Sequence, residues 1–312
     1  MSSSARLFVR KNPFKYFYFV RDSLFHRNRS SFNLTYQGGD ELQIYSVIHS
    51  KIHEHNKYYT NAVIKERSAI LKKWLKPILA ELEGRTFCVH LGDYPGDVLI
   101  EGMPNLCYCK RHDDMRDLKL IPDAHYQLHL GYVQTRKYGR LYKINWDDKI
   151  PKAVFRGSCT GAKPLSVNMR ARLCTLEHDL IDARISRVNN GWEREEIAHL
   201  LGNELSEYAM AHYKYQIDID GNTNAWCALF WKLMSGSLTF KMNSEWAQWY
   251  YPRLASGVHY ESFSEFDELV DKINYYFRHD QSARAMAINA QNFTKNFTVK
   301  DQLAFFIEQV IR

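Results

Sequence analysis

The chain has 312 residues, 45% of them hydrophobic and 14% aromatic, which is enough apolar material for about two domains, each with its own core. Glycine and proline are sparse, with 15 and 8 residues, so collagen-like, low-complexity and disordered classes are excluded. A net charge of +7 is a modest excess that does not indicate nucleic acid, whereas an anionic small ligand or an acidic membrane surface fits it equally well.

The N-terminal segment, residues 8–29, interleaves basic and aromatic side chains and lacks the uninterrupted apolar run of a signal peptide. Its aromatic residues either pack on a core or contact an anionic membrane surface. No stretch approaches the roughly 20 apolar residues of a spanning helix. The six cysteines lack metal-site spacing, which is typical of reduced, buried thiols. We therefore expect a cytoplasmic protein, with peripheral membrane contact as an open alternative.

The first half of the chain carries a helix followed by a strand. Residues 57–83 space apolar side chains at helical intervals, with Pro77 as a kink or break. The β-rich run 85–91 ends in a turn sequence, so Asp93 is expected just past the carboxyl end of a strand. The histidines within residues 48–55 could cluster on a helix, but they lack acidic or cysteine partners at matching spacing. We interpret them as surface residues rather than metal ligands.

The second half repeats the order strand, loop, helix. Residues 152–157 predict a strand, followed by a small-residue loop and a helix from Asn168. Residues 215–220 alternate in polarity up to Gly221, and a helix and another strand follow, which is the pattern of a βαβ crossover. The tail, residues 264–312, carries helical patterns with no strand signal between them.

This order of elements predicts an α/β protein with two parallel sheets, each covered by helices on both faces. In open α/β sheets, ligands bind beyond the carboxyl ends of the strands. Asp93 and the loops Gly157–Gly161 and Gly221–Asn224 all lie at such ends. We therefore place a ligand cleft there.

The loop after Gly221 favours an anion, because its Asn and Thr residues are expected to open a helix whose free N–H groups bind phosphate. An ordinary loop with an Asn cap is the alternative. A diphosphate also needs a cationic side chain, and Arg156 is the nearest by topology, with Arg170 second. The alternative role of Arg156 is a structural ion pair.

Two carboxylates, Asp218 and Asp220, have an Asp-x-Asp spacing that can hold a divalent cation at a diphosphate. Residues two apart on a strand point to the same face, so ordinary strand positions explain the pair as well. The sequence contains no Gly-x-Ser-x-Gly elbow, Walker loop or GxGxxG motif, which argues against the hydrolase and nucleotide-binding sites that use them.

Three blocks of sequence carry a family resemblance: GDYPG at 92–96, KAVFRGSCTG at 152–161, and the segment 214–260. Their order and spacing resemble the inverting glycosyltransferases that include protein O-glucosyltransferases, fungal capsule xylosyltransferases and bacterial lipopolysaccharide-modifying enzymes, the CAP10-like family. The resemblance spans residues 85–295. The third block is the most specific, because a βαβ unit followed by Glu-Trp, Trp-Tyr and Val-His-Tyr has no general structural reason to recur.

The resemblance implies a GT-B-like fold, in which two Rossmann-like domains face a cleft and a helical C-terminal tail follows. On this basis we expect an N-terminal acceptor-binding domain over residues 1–140 and a nucleotide-sugar-binding domain over residues 141–295. A C-terminal helix over residues 296–312 would then pack back across the domains.

The resemblance also implies metal-independent transfer, with inversion, of glucose or xylose from a UDP-sugar to a hydroxyl of a glycan or lipid-linked saccharide, without a cofactor. Asp93 matches the general base of the family, and its position beyond a strand end agrees with that role. The acceptor-binding residues are then Tyr94, Pro95 and Asp123. The donor-binding residues are Arg156, Gly157, Ser158, Thr160, Gly161, Arg170, Asp220, Gly221, Asn222, Thr223, Asn224, Ser235, Lys241 and Glu245.

The sequence departs from the protein glucosyltransferases of this family at two arginines. Those glucosyltransferases carry the first arginine early in the helix that follows the glycine equivalent to Gly221, whereas residues 222–231 of this chain contain no arginine. They carry the second arginine, which helps to hold the base, a few residues after the position of Ser158, whereas the next arginine of this chain after Ser158 is Arg170. A noncatalytic nucleotide-sugar or carbohydrate-binding protein on the same fold is therefore the alternative function, and Arg156 becomes the predicted partner of the diphosphate.

Overall fold

The computed structural model describes residues 41–55, 59, 62–97, 99–132, 143–188 and 191–311. The basic, aromatic N-terminal segment lies outside these residues, so both of its alternatives stay predictions. The strands in the described ranges are β1 (Leu42–Ile48), β2 (Lys51–Glu54), β3 (Thr86–His90), β4 (Asn105–Cys107), β5 (Lys110–Arg111), β6 (Leu118–Leu120), β7 (Ile150–Ser158), β8 (Ile181–Arg187), β9 (Tyr213–Asp218), β10 (Leu238–Met242), β11 (Trp246–Ala247) and β12 (Glu261–Phe263). The α-helices are α1 (Ala62–Trp74), α2 (Ala124–Leu128), α3 (Met169–Cys174), α4 (Glu207–Ala211), α5 (Ala228–Met234), α6 (Phe266–Arg278), α7 (Asp280–Lys295) and α8 (Val299–Ile311).

The first sheet has the strand order β2-β1-β3-β4-β6 and is only partly parallel. β3, β4 and β6 run parallel, but β1 is antiparallel to both of its neighbours. β1 and β2 form a hairpin whose turn residues, His49 and Ser50, have φ of 51° and 52°, as a tight two-residue turn requires. The expectation of an all-parallel sheet is therefore wrong at this edge, and so is the helical interpretation of the histidines.

The second sheet has the strand order β12-β10-β9-β7-β8, and every neighbouring pair is parallel, as predicted. α3 begins directly after Asn168, whose side-chain oxygen accepts a hydrogen bond from the Ala171 N–H at 3.0 Å. The predicted α/β class, with two sheets and a helical C-terminal tail, is confirmed. All six cysteines are free thiols, and five of them are buried.

The segment between β9 and α5 differs from the prediction. α5 begins later than expected, so residues 219–227 form a loop, the β9–α5 loop. Thr223 Oγ1 donates to the Asp93 carbonyl at 2.8 Å, and Asn224 Nδ2 donates to the Trp246 carbonyl at 2.7 Å. These contacts with distant parts of the chain hold the loop out of helical geometry. The predicted helix N-terminus directly after the glycine is therefore wrong.

The C-terminal helix α8 completes the core of the first sheet. Leu303, Phe306 and Val310 join the hydrophobic cluster formed by β1, β3 and α1. The Phe306 ring packs edge-on against Trp74 and Phe87, with ring centroids 5.7 and 5.6 Å apart. Burying one such ring stabilises the fold by about 1.5 to 3 kcal/mol.

The domain boundaries stay predictions. None of the described helices is long and apolar enough to cross a membrane.

We call residues 41–132, which carry the first sheet, the first half, and residues 143–295, which carry the second sheet, the second half. A short antiparallel sheet of β5 and β11 links the two halves. Next to it, the His112 N–H donates to the Glu245 carbonyl at 2.8 Å, and Arg111 pairs with the Glu245 carboxylate at 2.6 Å. Beside this link, the β9–α5 loop contacts the loop after β3. The carboxyl ends of β9 and β3, one strand from each sheet, therefore face each other.

Candidate active site

Asp93 lies in the loop after β3, where the two halves meet. Its carboxylate accepts a hydrogen bond from Arg67 Nη2 at 2.7 Å. Its backbone carbonyl accepts bonds from Thr223 Oγ1 and from the Cys109 thiol, both at 2.8 Å. The Asp93 side chain remains 26% exposed. The carboxylate is therefore held by the first half, with its main chain tied to the second, while solvent or a substrate can still reach it.

Arg67, on α1, is a site residue that the sequence reasoning missed. Its side chain is only 7% exposed, and Nη1 donates to the Leu91 carbonyl at 2.6 Å. The signal that could have found it is its place in the helical pattern: it stands three residues after Ile64 and four before Leu71, on the buried stripe. A charged residue on a buried face needs a partner, and the partner could not be named because Asp93 lies in another element.

The small-residue loop after β7 packs directly on the β9–α5 loop. The Gly161 N–H donates to Asn222 Oδ1 at 3.1 Å, and Gly161 has a φ of +106°, which side chains rarely adopt. A Cβ added to Gly221 would overlap Thr160 Oγ1 and lie 3.1 Å from Arg170 Nη2. A side chain at position 221 would therefore force Thr160, Arg170 or the two loops to shift.

Arg170, on α3, fastens these two loops together. Its Nη1 donates to the Ser158 carbonyl at 3.1 Å and to Thr160 Oγ1 at 2.7 Å. Its Nε and Nη2 donate to the carbonyls of Ile219 and Asp220, at distances between 2.9 and 3.2 Å. Desolvation lowers the pKa of Arg170, but an arginine remains protonated at physiological pH. The structure thus brings together the predicted residues of both loops around one cation.

Arg156 takes the alternative role. Its Nη2 pairs with the Asp182 carboxylate at 2.7 Å, and Nη1 donates to the carbonyls of Phe155 and Asp182, both at 2.8 Å. The remaining nitrogen, Nε, donates to the Asn203 carbonyl at 3.1 Å. Because every guanidinium nitrogen of Arg156 already has a partner in the fold, the geometry does not support the predicted contact with a diphosphate.

Two further predicted residues are buried in the fold. Ser235 caps the C-terminal end of α5, is buried, and donates to the Lys232 carbonyl at 2.6 Å. Asp123 caps the N-terminus of α2 and is fully buried, so an acceptor cannot touch it. It accepts the N–H groups of His125 and Tyr126 at 2.8 and 3.0 Å, and burial raises the pKa of this carboxyl to about 6. Both residues therefore stabilise the fold.

The Asp-x-Asp pair is neutralised by lysines. Asp218 is buried and pairs with Lys232 at 2.7 Å, while Lys241 lies 3.9 Å from Asp218 and 3.6 Å from Asp220. Burial alone raises the pKa of Asp218, but the two lysines outweigh it and lower the pKa below its usual value. Ser244 donates a hydrogen bond to Asp220. In the described ranges no group of three or more His, Cys, Asp or Glu side chains is arranged to hold a metal ion.

A pocket of about 270 Å³ opens beside Lys241. His112 of the first half and residues 242–244, Tyr251 and Tyr260 of the second half line it. Its volume lies just below the range of about 300 to 1,000 Å³ that small-molecule sites usually have, so it could take part of a nucleotide sugar rather than all of it.

Other predicted residues differ in exposure. Tyr94 is exposed, with its ring 6.3 Å from that of Trp246, whereas its neighbour Pro95 is buried. Glu245 is exposed and paired with Arg111, so it is part of the link between the halves. Asn224 is buried, and its hydrogen bond to the Trp246 carbonyl holds the β9–α5 loop to the segment after β10.

Comparison with known proteins identifies relatives. The profile of Glycosyl transferase family 90 matches residues 128–312. Protein O-glucosyltransferase 2 of Danio rerio is 27% identical over 238 residues, which are 72% of this chain and 46% of that protein. The O-glucosyltransferase rumi homolog of Aedes aegypti is 24% identical over 277 residues, 80% of this chain and 66% of that protein. The crystal structure of Anabaena HepE with UDP-glucose aligns with a TM-score of 0.37 and 14% identity over 57% of this chain and 52% of that one.

Proposed function

Because the chain belongs to glycosyl transferase family 90, we propose that it transfers a sugar, glucose or xylose, from a UDP-sugar to a hydroxyl of a glycan or lipid-linked saccharide. The relatives named as O-glucosyltransferases favour glucose over xylose. The chain spans less than half of the Danio rerio relative, so the acceptor of that protein is not carried over.

The observation that carries the proposal is the position of Asp93. A carboxylate that is held in place yet partly exposed, at the point where both sheets end, can accept the proton of an acceptor hydroxyl. The hydroxyl oxygen attacks the anomeric carbon as the bond to the UDP oxygen breaks, and Asp93 takes the proton. A single displacement of this kind inverts the configuration at the anomeric carbon.

One cation of the second half is suited to the charge that develops on the leaving UDP. Lys241 lines the pocket beside the two loops, whereas Arg170 is engaged in holding those loops together. Among the described residues, the Lys241 ammonium donates to the Met242 carbonyl at 3.3 Å and lies 3.6 Å from Asp220 and 3.9 Å from Asp218. These long ion pairs leave it able to contact a phosphate in the pocket as well. This arrangement supports metal-independent transfer, which we include in the proposal.

The proposal is tested by incubating the purified chain with UDP-glucose and with UDP-xylose and measuring the UDP that is released. We expect release to continue in EDTA and to fall by about 10² to 10⁴ in Asp93→Asn, because the amide cannot take a proton. The dissociation constant for UDP-glucose, measured by calorimetry, should not change in that variant. Binding without UDP release by the unaltered chain would favour the noncatalytic alternative, and restoration by manganese after EDTA would favour a metal-dependent reaction.

A further inference from the structure

Arg67 is a buried cation with two fixed partners in the first half. Nη1 donates to the Leu91 carbonyl at 2.6 Å and Nη2 to Asp93 Oδ1 at 2.7 Å. Leu91 and Asp93 lie on either side of Gly92 at the end of β3. Two donors of one planar guanidinium therefore fix the direction of the carboxylate relative to the end of the strand.

Two aromatic rings lie against the guanidinium. Its central carbon lies 5.1 Å from the ring centroid of Trp226 and 5.9 Å from that of Tyr108. Trp226 belongs to the β9–α5 loop of the second half, and its ring packs on His125 with centroids 4.7 Å apart. Both halves thus confine the guanidinium. Moving the Arg67 side chain away from Asp93 would break its contact with the Trp226 ring as well as its two hydrogen bonds.

The pairing also distinguishes the two carboxylate oxygens of Asp93. Oδ1 accepts the Arg67 bond, whereas Oδ2 accepts no hydrogen bond within the part of the chain that the structure describes. A general base needs one oxygen with a free lone pair and a fixed direction. The ion pair supplies the direction through Oδ1 and leaves Oδ2 to take the proton.

We propose that Arg67 is the positioning residue of the base: it holds Asp93 Oδ1 so that Oδ2 faces the attacking hydroxyl. This role rests on the proposed function. No arginine follows Ser158 closely in this chain, and Arg170 is engaged with the glycine loops, so α1 of the first half supplies the cation instead. Arg67 does not touch the substrate and acts only through Asp93.

The test uses the full chain and UDP-glucose, with water as the acceptor: water attacks the anomeric carbon, the bond to UDP breaks, and Asp93 takes the proton. We expect Arg67→Ala to reduce UDP release by about 10²-fold, as a misplaced catalytic group does, with the dissociation constant for UDP-glucose unchanged. Guanidinium ions added to Arg67→Ala should restore part of the rate. Arg67→Lys, which keeps the charge but cannot serve both partners at once, should fall between the two.

The double variant Asp93→Asn with Arg67→Ala separates positioning from general stability. If Arg67 acts through Asp93, the double variant releases UDP no more slowly than Asp93→Asn alone. Lys73→Ala, which removes an exposed charge from the same helix, is the control and should keep the full rate. Independent losses that multiply in the double variant, or a rate in Arg67→Lys and Arg67→Ala equal to that of the unaltered chain, would overturn the role. A lack of UDP release from the unaltered chain with both UDP-glucose and UDP-xylose would overturn the proposed function and this role with it.

Discussion

Replacing Arg156 with alanine distinguishes a structural ion pair from a diphosphate-binding cation. The guanidinium donates to three backbone carbonyls and to the Asp182 carboxylate. Each of these bonds is donated by a charged group, for which about 1.5 to 3 kcal/mol is typical, but the carbonyls that lose the arginine can bind water instead. The Asp182 side chain is 29% exposed and regains water when the arginine is removed, which offsets part of the loss. We therefore expect the free energy of unfolding to fall by about 2 to 3 kcal/mol.

The assay combines urea unfolding with calorimetric titration by UDP and by uridine under folding conditions. We expect both ligands to bind Arg156→Ala as they bind the unaltered chain. Arg187→Ala is the matched control on the neighbouring strand, because Arg187 and its partner Glu204 are 50% and 56% exposed and their pair should contribute less than about 1 kcal/mol. An Arg156→Ala variant with an unchanged urea midpoint and a markedly weaker affinity for UDP than for uridine would refute this reasoning.

Three further predictions follow from other contacts. Gly221→Ala should weaken UDP binding and lower the free energy of unfolding by about 1 to 3 kcal/mol, because its Cβ forces the two loops apart; unchanged calorimetric and urea titrations would contradict this. Phe306→Ala should cost about 3 to 5 kcal/mol in urea unfolding, since the ring is fully buried between aromatic neighbours; a loss below about 1 kcal/mol would mean that α8 is dispensable to the core. Burial lowers the pKa of Lys149 from 10.5 to about 8, so between these pH values the unfolded chain binds more protons and the free energy of unfolding should rise with pH. Lys149→Met should lack this part of the rise, and identical pH profiles of stability for the two proteins would contradict the prediction.

The elements that were predicted correctly are those with local signals. β7 contains a short apolar run before Gly157, and β9 alternates in polarity before the turn at Gly221. The helix over 62–74 has a clear helical spacing, so the residues of each element determine it. The cap of α3 at Asn168 is equally local. Asp93 was placed beyond a strand end for the same reason.

The features that the sequence could not predict depend on contacts between distant residues. The β9–α5 loop stays out of a helix because Thr223 and Asn224 bind Asp93 and Trp246, which lie in other elements. The partner of Arg67 depends on how α1 packs beside β3, and helical spacing alone does not contain that information. Tertiary contacts override local preference at these places, which are also the places that form the site.

The packing of α8 on the first sheet has a consequence for the order in which the molecule is made. Phe87 emerges from the ribosome early, but its ring partner Phe306 is synthesised only after the whole second sheet. Until then, the nascent first sheet keeps part of its apolar face uncovered, and the chain cannot acquire its native form one domain at a time. Contacts of such long sequence separation slow folding, so this protein should depend on chaperones during synthesis more than a chain whose first sheet is covered by its own neighbouring helices.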